Sequence, residues 1–145
     1  MLKISAAAMR QMVEHCRRDY PNEACGYLVG RDGRAIEAVA LTNAHASPSS
    51  YEMDPKEQLQ LQKQLRQKKL AHLAIYHSHV ATEAYPSRRD IDRATAVQDF
   101  FDGYYVLVTL KEQGNPRARA FKVRDGNVEE EEIREIGRAS CRERV

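Results

Sequence analysis

Apolar and polar positions along this 145-residue chain fall into blocks that switch between a period of two and a period near 3.6, the marks of strand and helix. Leu2 to Ile4 reads as a short strand. Ser5 stands where a helix N-cap belongs, and Ala8, Met12 and His15 or Cys16 recur at helical spacing. This predicts a helix to about Tyr20, ended by Pro21, since proline disfavours helical backbone in the residue before it. ACGYLVG (24–30) and AIEAVALTN (35–43) read as a hairpin about Arg31-Asp32-Gly33, and a Ser/Pro-rich loop, NAHASPSS, follows. Asp54-Pro55 supplies a cap and a first-turn residue, and KEQLQLQKQLRQKK continues as a polar, mostly solvated helix. Residues 71–79 form an apolar strand, Ser87 opens a helix to about Phe101, and GYYVLVTLK, ARAFKVR and NVEEEEIRE close the order as strands. The sequence holds no internal repeat and no linker.

Composition narrows this picture. A chain of this length makes one domain able to bury about two thirds of its unfolded surface. With 42% hydrophobic and 30% charged residues it is neither disordered nor membrane-like, and no apolar run approaches the roughly 18 residues a span needs. MLKISAAAMRQMVEH puts charged residues where a signal peptide carries its apolar stretch, so a cytoplasmic location is expected. GRASCRERV continues no pattern. Its back-translation, begun at Ile136, resembles a sequencing adapter read through in frame, so residues 136–145 are expected to be a non-native tail behind a domain of residues 1–135. The three arginines and one glutamate of that tail account for the whole formal charge of +2. Without it no basic surplus supports nucleic-acid binding, and no basic stripe with interleaved aromatics takes its place. Cys16 and Cys25 are too few for a disulfide framework or a cysteine-based zinc site, and nothing local marks either as a low-pKa thiol.

The candidate chemistry lies in AIYHSHVATEAYPSRRDID, residues 74–92. On a strand His77 and His79 project from one face and Ser78 from the other. Ser87 and Asp90, spaced i, i+3, share one side of the first turn of the next helix. His77, His79 and Asp90 thus supply the three protein ligands typical of a catalytic zinc. Ser87-Arg-Arg-Asp90 also resembles a capping box, which explains those two residues alone. It does not explain why an apolar strand delivers two same-face histidines beside a carboxylate. Glu23, at the mouth of the strand ACGYLVG, is a candidate acid/base beside such a metal.

Glu23, followed by His77-Ser78-His79, seven residues, Ser87, two residues and Asp90, resembles the JAMM (MPN+) metalloprotease signature. The segments P-N-E-A-C-G-Y-L-V-G and Y-E-M-D-P are also similar to those of small stand-alone bacterial members, of the type that acts on sulfur-carrier proteins. The likeness spans about residues 2–135. Val80 departs from it, standing where many members have proline. The resemblance implies an α/β fold related to the cytidine deaminases, a single-domain mixed β-sheet flanked by helices. It implies one zinc ion held by His77, His79 and Asp90, Glu23 as acid/base, Ser87 as oxyanion donor and Ser78 as a structural residue. It further implies hydrolysis of the amide bond after the C-terminal Gly-Gly of a ubiquitin-like sulfur carrier, whose tail is expected to add along a sheet edge, and it leaves a homodimer open. Arg88 and Arg89 are placed to meet carrier acids or a terminal carboxylate, or form a solvated helix face. The alternatives are a non-catalytic MPN-type scaffold and a zinc amidohydrolase of a small substrate. Deaminase chemistry is disfavoured, because the H-x-E and P-C-x-x-C set is absent. His15, His45 and His72 are expected to be ordinary surface residues.

Overall fold

A computed structural model describes residues 1–136. In chain order the elements are β1 (Leu2–Ile4), α1 (Ala6–Asp19), β2 (Cys25–Arg31), β3 (Arg34–Leu41), α2 (Pro55–Lys68), β4 (Ala71–His79), α3 (Arg88–Ala96), β5 (Tyr104–Thr109), β6 (Arg117–Arg124), β7 (Asn127–Glu131) and β8 (Ile133–Glu135). The strands form one mixed sheet in the order β7-β6-β5-β4-β2-β3-β1-β8. β4 and β5 run parallel, while β2 pairs antiparallel with both β3 and β4. Local chemistry accounts for the boundaries. The Ser5 hydroxyl accepts from the Ala8 N–H at the start of α1, and the Asp54 carboxylate accepts from the Lys56 N–H at the start of α2. Asp32 and Gly33 both take positive φ, as the two central residues of a tight hairpin turn must.

The sheet is covered on both faces. Leu28, Tyr76, Val106 and Val108 pack with Met12 and Cys16 of α1, whereas Cys25, Tyr27 and Val29 pack with Leu61 and Leu65 of α2. Successive residues of β2 therefore enter different cores, which is why the strand reads as a continuous apolar run. The solvated reading of α2 needs correction to that extent: Leu61 and Leu65, four residues apart, seal the second core.

Two elements differ from the sequence pattern. α3 ends at Ala96 rather than near Phe101: the Val97 and Gln98 N–H groups bond carbonyls three residues back, and the Gln98 side chain pairs with Asp125 in the β6–β7 turn. The run NVEEEEIRE is not one strand. β7 pairs with β6 at one end of the sheet and β8 with β1 at the other, and only Glu132 lies between them. One residue spans at most about 7 Å between its neighbours' Cα atoms, so the sheet curls until its two ends meet. The Leu2 N–H to Glu132 carbonyl bond (2.8 Å) and the Tyr104 hydroxyl to Met1 carbonyl bond (2.8 Å) tie that closure. The Ile136 N–H still donates to the Ile4 carbonyl. The remainder of the expected tail lies outside the described residues.

Candidate metal centre and catalytic cleft

His77 and His79 end β4, whose neighbours β2 and β5 fix their direction: His77 lies opposite Cys25 on one side and Leu107 on the other. Ser78, fully buried on the opposite face, accepts from the Ala24 N–H (2.8 Å) and donates its own N–H to the Ala24 carbonyl (3.0 Å). That double bond clamps the residue after Glu23 to the histidine strand. Glu23 itself is fixed by its N–H to the Ser47 carbonyl (2.8 Å) and by Asn43, whose amide donates to the Glu23 carbonyl (3.0 Å).

Asp90 arrives from α3 through a complete capping box. Its N–H donates to the Ser87 hydroxyl (3.1 Å), and its Oδ2 accepts the Ser87 N–H (2.9 Å). The same Oδ2 lies 3.3 Å from His77 Nε2 and 3.1 Å from His79 Nε2, and the two Nε2 atoms are 3.2 Å apart. His79 Nδ1 lies 2.8 Å from the Glu83 carbonyl, so Nδ1 carries the proton and a neutral ring presents a bare lone pair at Nε2. Three lone-pair donors thus converge on one point. A proton on His79 serves one of these contacts, whereas a cation between the three serves all of them. A tetrahedral ion with bonds of about 2.0–2.1 Å needs donors about 3.3 Å apart, so the residues fit a zinc ion.

The electrostatics follow from burial and from these neighbours. Burial pushes His77 below its usual value, although its bond to Asp90 opposes this. Burial acts the same way on His79, but the bonds to Asp90 and the Glu83 carbonyl and the charges of Asp90 and Glu23 outweigh it and leave it raised. Asp90 shows the reverse balance: burial favours its neutral form, yet the two imidazoles and the Ser87 N–H hold it far below the carboxylate range. Glu23 is only 6% exposed, and among the described residues its carboxylate accepts no hydrogen bond. Burial raises it to about 7, with Asp90 adding to the rise and His79, Arg93 and Arg89 opposing it.

Glu23, His79, Ser87 and Asp90 line one cleft of about 440 Å³, walled by residues 48–51 and 80–82 and by Arg88, Arg89 and Arg93. Among the described residues the Ser87 hydroxyl accepts only from the Asp90 N–H, so its own hydrogen is free to donate into the cleft. Four of the five residues read from the sequence as chemical therefore line this cleft, the buried His77 joins them through Asp90 and His79, and Ser78 lies on the opposite face of its strand. β2 and β4 are interior strands, paired on both sides, so neither offers an edge for strand addition next to the site.

Sequence reasoning missed two contributors. Tyr51 stacks on His77 (centroids 4.5 Å apart), and the Arg93 guanidinium lies over the Tyr51 ring at 4.7 Å while donating to the Tyr51 carbonyl. The spacing of Arg93, three residues beyond Asp90, was the available signal; Tyr51 lay in Y-E-M-D-P with no local sign of its role. The surface reading of the spare histidines holds for His45, which is exposed, and needs correction for the other two. His15 is 4% exposed and lies 2.6 Å from the Tyr76 hydroxyl, and His72 is half-buried between Tyr27 and Phe101. Cys16 and Cys25 are both buried, which pushes their thiols up to about 12 and leaves neither as a thiolate for nucleophilic work.

A family model described as prokaryotic homologs of the JAB domain matches residues 5–123. The CysO-cysteine peptidase of Mycobacterium tuberculosis is 41% identical over 135 residues, covering 92% of this chain and 90% of that protein. A desampylase of Haloferax volcanii is 31% identical over 114 residues, covering 74% of this chain and 78% of its own length. Among solved structures, a solution structure of a Desulfitobacterium hafniense protein superposes with a TM-score of 0.79 at 35% identity, covering 92% of this chain and 91% of that one.

Proposed function

Because this chain belongs to the family of prokaryotic homologues of the JAB domain, we propose that it is a zinc-dependent peptidase that hydrolyses the amide bond after the C-terminal Gly-Gly of a ubiquitin-like sulfur-carrier protein. The observation that carries this reading is the triangle of His77 Nε2, His79 Nε2 and Asp90 Oδ2, with sides of 3.1–3.3 Å, beside a carboxyl group raised to about 7. The names of the relatives supply the substrate class, a peptide or conjugate of a small carrier protein.

His77, His79 and Asp90 would hold the ion, which when bound would supply Lewis-acid activation of water and of the scissile carbonyl. Glu23 takes the proton of the attacking water and returns it to the leaving amine, work suited to an acid/base near neutrality. The Ser87 hydroxyl donates its free hydrogen to the oxygen on which negative charge develops. Ser78 keeps Glu23 in register with the histidines through its two bonds to Ala24. Tyr51, under Arg93, holds the His77 ring and keeps water from its face.

The test is cleavage of a carrier ending in Gly-Gly and extended by a short peptide. Zinc-loaded protein is expected to cut after Gly-Gly, a chelator to stop it, and added zinc to restore it. Failure to cut any carrier fusion, by protein shown to hold zinc, overturns the reading.

A further inference from the structure

We propose that Arg89 is a specificity-determining residue of this cleft: it recognises the free α-carboxylate of the leaving group and so favours a leaving group that carries one over a leaving group that does not. The inference rests on the peptidase reading above and deepens it. Of the arginines lining the cleft, two have partners in the fold, Arg88 only on the exposed face of α3. Arg93 donates to the Tyr51 carbonyl and lies over its ring, and Arg88 pairs with Asp92 at 3.4 Å. Arg89 is exposed, lines the same cleft, and among the described residues makes no hydrogen bond or ion pair. Its field nevertheless reaches the site, since it is one of the charges acting on Glu23. It stands between Ser87 and Asp90 in sequence, so the helix turn that presents the hydroxyl and the third ligand presents this cation too.

The chemistry of the leaving group fits that position. In a C-terminal residue the carboxylate carbon lies only about 2.5 Å from the scissile nitrogen, as bond lengths dictate. A cation beside the cleft can therefore meet it while Glu23 and Ser87 act on the bond itself. Guanidinium is the group best shaped for a carboxylate, through two parallel N–H donors. A lysine ε-amine carries no carboxylate at that distance, and an isopeptide leaves Arg89 without a partner.

The experiment compares one carrier ending in Gly-Gly-Cys with a free carboxylate and the same carrier ending in the Cys carboxamide. Wild-type protein is expected to favour the acid about tenfold in kcat/KM, the scale of one charge-assisted pair. Arg89→Ala is expected to bring that ratio close to one, and Arg89→Lys to restore part of it. Calorimetric binding of both carriers to Glu23→Gln protein, with and without Arg89→Ala, should show the same loss of preference without turnover. An acid preference that survives Arg89→Ala, or a wild type that cuts both carriers equally, overturns the inference and leaves the peptidase reading standing. A wild type that cuts neither overturns both.

Discussion

The two ends of β4 carry the same residue type to opposite outcomes. At its start His72 lies between Tyr27 (3.6 Å) and Phe101 (4.4 Å), its buried Nε2 has no hydrogen-bond partner among the described residues, and burial pushes it down to about 4. At its end His77 and His79 meet a carboxylate from a different element, with Glu23 lining the same cleft as His79. Strand and face are shared, since Tyr27 and Cys25 both belong to the second core. What differs is what the tertiary fold sets opposite. Two aromatic rings turn an imidazole into packing, and an acid turns two of them into a ligand set.

Substitutions can break or sharpen that contrast. The largest effect is expected for Asp90→Ala, which leaves two histidines facing only each other. Zinc affinity should fall by more than the roughly 100-fold typical of losing an outer-shell partner, with activity lost as well, as metal analysis by mass spectrometry will show. Glu23→Gln should keep the zinc and lose about 10²–10⁴-fold in kcat, so full activity would remove Glu23 from the mechanism. In the native protein kcat/KM should fall on the acid side, because only ionised Glu23 accepts a proton. Its value of about 7 marks the upper position of that limb, and a dication nearby moves it lower. Ser87→Ala should cost roughly 10²–10³-fold in kcat, the scale of an oxyanion donor, and also about 1 kcal/mol of stability from the cap. Ser87→Gly separates the two, since glycine at an N-cap costs only a few tenths of a kcal/mol while the hydroxyl is still lost.

The smallest effect on function belongs to the other end of the strand. His72→Phe should leave metal content and cleavage as they are, and a loss of zinc would erase the distinction between the two ends. It should change the response of stability to acid. The native state favours a neutral His72, so its contribution is fully present above pH 6.5. It is lost as pH falls from 6.5 toward about 4, where the unfolded chain takes up the proton first. Denaturant melts across that range should lose about 1–3 kcal/mol in the wild type and less in the variant.

The order of elements, the caps at Ser5, Asp54 and Ser87, and the spacing of His77, His79, Ser87 and Asp90 were legible because each is set by neighbours within a turn or a strand. The same local reading ran α3 too far and made one strand of two: just past the helix Gln98 is held by a turn from another hairpin, and the curl of the sheet splits the pairing at Glu132. The sequence by itself determined which donors exist and which share a face, since strand and helix periods are properties of the backbone. Tertiary structure alone decided that Asp90 reaches both imidazoles, that Glu23 is buried deeply enough to rise to about 7, and that Tyr51 and the Glu83 carbonyl hold the two rings. Ligand distances, desolvation and second partners arise only where segments remote in the chain are packed together, and no period along the chain encodes them.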